Sequence, residues 1–128
     1  MANKEDVEKL LIELELPFEC LDDELWVVVN EADQGENLVV YLADSVLTVR
    51  VKVFDLPEEP TKELFRRLLE LNATQVVHGA FGIESDNVVL VGALELENLD
   101  LNEFQALIDS FTLALSSHHS ELTNLLKQ

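Results

Sequence analysis

Between Val46 and Phe54 the chain alternates without a break: Leu47, Val49, Val51 and Val53 are apolar, and Thr48, Arg50 and Lys52 stand between them. Successive side chains on a strand point to opposite faces, so this run predicts a strand with one buried face and one wet face. Two shorter β-rich runs precede it, Leu25–Val29 and Leu38–Leu42, joined by gaps rich in Asp, Gln, Gly and Asn. An antiparallel meander is the economical arrangement. A second alternating pair follows later, with Val77, Gly79, Phe81 and Ile83 before the turn Ser85-Asp86-Asn87, and Val89, Val91 and Ala93 after it. If Glu84 pairs with Asn87 across a two-residue loop, Gly79 falls opposite Gly92. That leaves a patch of sheet without side chains, on which a helix or a large side chain such as Trp26 can pack closely.

Helices frame these strands. Val7, Leu10, Leu11 and Leu14 share one face of a first helix of about 12 residues, with Asn3 as N-cap and Pro17 marking its end. The breaker Asp55–Pro60 leads into Thr61 as a second N-cap, followed by Leu64, Phe65, Leu68, Leu69 and Leu71. That helix is apolar over more than half its circumference, which predicts cover on two sides. Asp100 and Glu103 have capping-box spacing ahead of Phe104, Leu107, Ile108, Phe111 and Leu115, and the stripe continues through His118, Leu122 and Leu125. A bend or break is expected near Ser116-Ser117. The reading is α+β in the order α-β-β-β-α-β-β-α, a twisted antiparallel sheet packed against helices. The 128 residues are enough for one core and too few for two, so residues 1–128 read as one domain.

Charge narrows the function. There are 26 acidic residues against 8 basic ones, a formal net charge of −18. Phosphate backbones and anionic membranes repel such a chain, whereas a basic protein segment is attracted. No nucleic-acid or membrane partner is expected. The opening residues mix acids and bases without an apolar core, unlike a signal peptide, and no apolar run of about 18 residues exists, so a cytoplasmic protein is expected. Cys20 is the one cysteine and has no second thiol for a disulfide or a zinc motif.

Each candidate for chemistry reads better as structure. His78-Gly79-Ala80-Phe81-Gly82 places its glycines in a strand leading to another strand, with no Lys or Arg between Arg67 and Lys127, so it is not a phosphate loop. His118 and His119 point about 100° apart on a helix, leaving His118 and Glu121 as only two ligands on one face. Asn30–Asn37 resembles a calcium loop until Gly35 is set at the glycine position, which puts Ala32 and Gln34 where carboxylates belong. Neither a nucleophile elbow nor a motif-grade histidine partner for Cys20 is present. The expectation is no enzyme, no metal and no cofactor.

The segment from Leu64 to Leu115 resembles the second half of the type III secretion chaperone-like superfamily, most closely its YbjN-type branch. The features that carry the resemblance are Leu68-Leu69-Glu70-Leu71-Asn72 closing a helix, the Gly79-Ala80-Phe81-Gly82 strand, the acidic turn, the apolar strand, and Leu99-Asp100 opening the last helix with Phe104. The first half agrees in element order. The resemblance implies a small acidic protein, commonly dimeric, without a catalytic motif. In the secretion chaperones, apolar grooves hold an extended segment of a client protein, while YbjN-type relatives are described as sensory-transduction or stress regulators. The function expected here is a protein-binding module that holds or regulates a partner; the alternative is a regulatory domain with a small ligand between the last helix and the sheet. Expected groove residues are Trp26, Val49, Val51, Phe81, Val91, Phe104, Leu107 and Phe111, each equally plausible as core. Leu64, Phe65 and Leu68 are the expected contacts of a homodimer.

Overall fold

A computed structural model describes residues 3–29, 37–76 and 78–127. Helix α1 spans Lys4–Glu13 and opens on a reciprocal capping box, in which Asn3 accepts from the backbone of Glu5 and Asp6 while the Asp6 carboxylate accepts from the backbone of Asn3. It is shorter than expected and ends before Pro17. Glu15 adopts a φ of 58°, and the amides of Glu15 and Leu16 donate back to the carbonyls of Ile12 and Leu11. This is a Schellman stop with Glu in the position that glycine usually fills.

Six strands follow the sequence: β1 (Phe18–Asp22), β2 (Leu25–Val28), β3 (Leu38–Ala43), β4 (Val46–Asp55), β5 (Ala80–Glu84) and β6 (Asn87–Glu95). All neighbours are antiparallel, in the spatial order β1-β2-β3-β4-β6-β5. The sheet is the one expected with one strand added. Phe-Glu-Cys-Leu-Asp has no apolar alternation, and β1 is held by its pairing with β2 rather than by a buried face. Two hairpins turn over two residues, Asp44-Ser45 and Ser85-Asp86, and all four residues have positive φ, as type I′ turns require. Glu84 pairs with Asn87 as the sequence predicts. Val77, assigned to this strand from sequence, lies outside the described residues.

Helix α2 (Lys62–Thr74) is capped by Thr61, and α3 (Leu101–Asn124) by Asp100, whose carboxylate accepts from the amide of Glu103. Helix α3 is continuous through Ser116-Ser117, so the expected break is absent; a 3-10 turn, Leu125–Lys127, closes it. The three helices lie on one face of the sheet. Cross-strand pairing sets Cys20, Trp26, Val40, Val49 and Gly92 in one row on that face, and the last four are buried. A Cβ at Gly92 would stand 2.5 Å from Leu107 Cδ1, and one at Gly79 would stand 2.8 Å from Phe111 Cε1. The bare patch therefore receives α3 rather than Trp26. Trp26 is occupied elsewhere, its indole Nε1 donating to Glu8 of α1 at 2.8 Å.

Candidate functional site

Seven of the eight expected groove residues belong to the core. Trp26, Val49, Val51, Phe81, Phe104, Leu107 and Phe111 are all buried between sheet and helices. Val91 alone stands apart, half-buried on the opposite face. Alternation along a strand explains the division: Leu90 and Gly92 face the helices, so Val91 cannot.

The opposite face carries half-buried apolar side chains, among them Val27, Val39, Tyr41 and Val91, while Val89 on the same face is buried. One row crosses all six strands as Glu19, Val27, Val39, Arg50, Val91 and Ala80. A second is Leu25, Tyr41, Thr48 and Ala93, and a third is Lys52, Val89 and Gly82. Among the described residues no helix or strand lies across these rows. Val27, Val39, Val89, Arg50, Lys52 and Glu84 line a shallow depression of about 410 Å³ together with Asn37 and Asn87. Its central cation is held from two sides: Arg50 Nη1 donates to both carboxylate oxygens of Glu84, and the guanidinium stands 6.0 Å from the Tyr41 ring centroid. Lys52 pairs with Asp55 at 2.8 Å. Sequence alternation identified Arg50 and Lys52 as wet residues and Val91 was named for the groove; Val27, Val39 and Val89 were missed because their runs are apolar on both faces.

Helix α2 divides the expected dimer contacts. Leu64 and Leu68 are buried in the core, Phe65 is half-buried, and Leu69, which the sequence reading placed under cover, is 69% exposed. The helix carries Lys62, Arg66 and Arg67 against Glu63 and Glu70, a net charge of +1 in a chain of −18.

The structure sets the histidine candidates in different surroundings. His78 is exposed, and His118 sits mostly buried with Nδ1 3.5 Å from Glu121. Glu121 also accepts from Arg67 Nε at 2.6 Å, and that hydrogen bond is the main cause that holds its carboxyl below the usual glutamate range and the Arg67 guanidinium above its own. Of the calcium-like stretch, residues 30–36 lie outside the described residues. Among the described residues no group of three His, Cys, Asp or Glu side chains is placed to hold a metal ion. No described helix is long and apolar enough to cross a membrane.

A six-stranded antiparallel sheet with three helices on one side is the fold of the type III secretion chaperones. The chain matches the CesT_Tir_1 family over residues 1–128 and belongs to that type III secretion chaperone family. It superposes on a chain of the heterodimeric ExoU–SpcU complex of the Pseudomonas aeruginosa type III secretion system with a TM-score of 0.71 and 18% identity, covering 94% of this chain and 98% of that one. The ExsC–ExsE complex gives 0.65 with 20% identity, covering 98% and 97%. YbjN from E. coli gives 0.65 with 12% identity, covering 93% and 92%. No curated protein matches this chain in sequence.

Proposed function

We propose that this protein is a binding module, not an enzyme, which holds a segment of a partner protein on the open face of its sheet, in the cytoplasm. One observation carries the reading: Val27, Val39, Tyr41 and Val91, each half-buried, form a surface that no described element covers. Contiguous apolar surface on a soluble protein marks an interaction site. Solved relatives of the same fold include ExoU–SpcU and the HopA1–SchA chaperone–effector complex, which supports a protein partner. The small-ligand alternative needs space between α3 and the sheet, and Phe104, Leu107 and Phe111 fill it.

The module works as a homodimer in this proposal. Two copies of charge −18 repel each other over most of their surfaces, and of the three α-helices α2 alone carries net positive charge, beside an exposed leucine. Phe65 and Leu69 take the contact in place of Leu64 and Leu68.

The test is affinity capture from lysate of the source organism with the wild type and with Val39→Asp and Val91→Asp, each checked for native circular dichroism. One dominant partner retained by the wild type and lost from both variants is the expected result. Equal retention by folded variants would move the site off this face, and recovery of the bait alone across growth states would end the holding role.

A further inference from the structure

A sheet of six strands has two outer edges, and each leaves backbone N–H and C=O groups able to pair with another strand. The two edges are guarded differently here. On β5, Phe81 lies opposite Leu90 of β6, and both of its outward backbone groups are already bonded. The Phe81 N–H donates to Asn72 Oδ1 at 2.7 Å, and Asn72 Nδ2 donates to the Phe81 carbonyl at 3.1 Å. A primary amide presents an acceptor and a donor side by side, as a peptide group of a neighbouring strand does. Asn72 thus stands where the next strand would run.

Its position is fixed from both sides. Asn72 is in the last turn of α2, next to buried Leu71, so helix packing sets its height above the sheet. Only asparagine fits: aspartate lacks the donor, leucine lacks both groups, and glutamine sets its amide one methylene too far. At the other edge β1 carries Glu19 and Asp22, followed by Asp23 and Glu24 in the turn. There a second acidic chain is turned away by charge. Strand β5 has only Glu84 near its end, so charge guards it weakly.

We propose that Asn72 is an edge lock, the residue that keeps β5 from pairing with β5 of a second copy. This goes beyond the partner-holding reading and does not depend on it, since the occupant kept out is the chain itself. Carboxylate repulsion between copies acts alongside the lock and is screened by salt, whereas the lock is not.

The experiment compares wild type, Asn72→Ala and Asn72→Leu by light scattering after gel filtration, at about 0.1 M and about 0.5 M salt, where the Debye length falls from ~10 Å to roughly 4 Å. The wild type keeps one species at both salts, while the variants shift to larger species at high salt. Variants that fold and keep the wild-type species at both salts overturn the proposal. Amide hydrogen exchange of the wild type gives a second readout that no folding defect can spoil. The Phe81 N–H should exchange about ten- to a hundredfold more slowly than that of Ile83, the next outward residue of the same edge, because among the described residues only the former has a partner. Equal exchange at the two positions overturns the lock.

Discussion

Replacing Gly92 with alanine tests how closely α3 is seated. The new methyl would lie 2.5 Å from Leu107 Cδ1, 2.7 Å from the carbonyl oxygen of His78 and 3.3 Å from Phe111 Cε1. The leucine can rotate, but the carbonyl belongs to the backbone leading into β5 and the ring is packed in the core, so the helix or the strand must shift. Overpacking by one methyl costs about 1–3 kcal/mol, and the stiffer unfolded chain returns about 0.4–1 kcal/mol. A net loss of roughly 1–2 kcal/mol is expected. In a domain of this size that lowers Tm by about 4–8 °C. Urea unfolding followed by Trp26 fluorescence gives the same quantity as a lower midpoint at unchanged slope. Adding Leu107→Ala should leave the variant less impaired than the sum of the two single changes, because one of the three clashes disappears. A Gly92→Ala protein within about 0.3 kcal/mol of wild type would refute the close seating.

Glu8→Ala removes the acceptor of the Trp26 indole. An unpaired buried N–H costs about 1–3 kcal/mol, read by urea unfolding, and the Trp26 emission maximum should move only if α1 leaves the sheet. Glu121→Gln tests the α2–α3 clasp through its pH dependence. The Glu121 carboxyl is held low in the folded chain, chiefly by the Arg67 hydrogen bond, so its contribution is present above the ordinary value of 4.5 and is lost as pH falls through the lower folded value. The stability gap between wild type and variant should therefore be constant near neutrality and close on the acid side. A gap that persists at the lowest pH at which both proteins fold would refute the assignment.

How far the fold was legible depends on where tertiary contacts outweigh local pattern. The alternation in β4, the caps at Asn3, Thr61 and Asp100, and the Glu84–Asn87 hairpin follow from local rules, and each stands as read. Strand β1 was missed because an edge strand exposed on both faces has no buried period to betray it. The candidate surface was misread for the opposite reason. In Leu25–Val28 and Leu38–Ala43 nearly every residue is apolar, so periodicity cannot say which valines face the helices. Pairing register settles it: Val27 and Val39 share a row with Arg50, and Trp26 and Val40 share one with Val49. Leu69 fails differently, since an apolar residue on a short helix carries no mark that distinguishes core from interface.

The acidic charge acquires a structural meaning once the rows are known. Along the central row of the open face, the carboxylate Glu19 stands at the β1 edge, while Arg50 occupies the middle among Val27, Val39 and Val91. A segment lying across this row sets its apolar side chains on the valines and leaves one end over Glu19 at the β1 edge, where a basic flank is favoured. Desolvating Arg50 without a partner would cost several kcal/mol, and Glu84 already supplies one through Nη1. The face can therefore be covered without stranding its central charge. Glu84→Gln leaves Arg50 to be buried unpaired, so it should weaken capture of a partner on this face while leaving the fold of the free chain intact, because in the free chain Arg50 can recover its hydration.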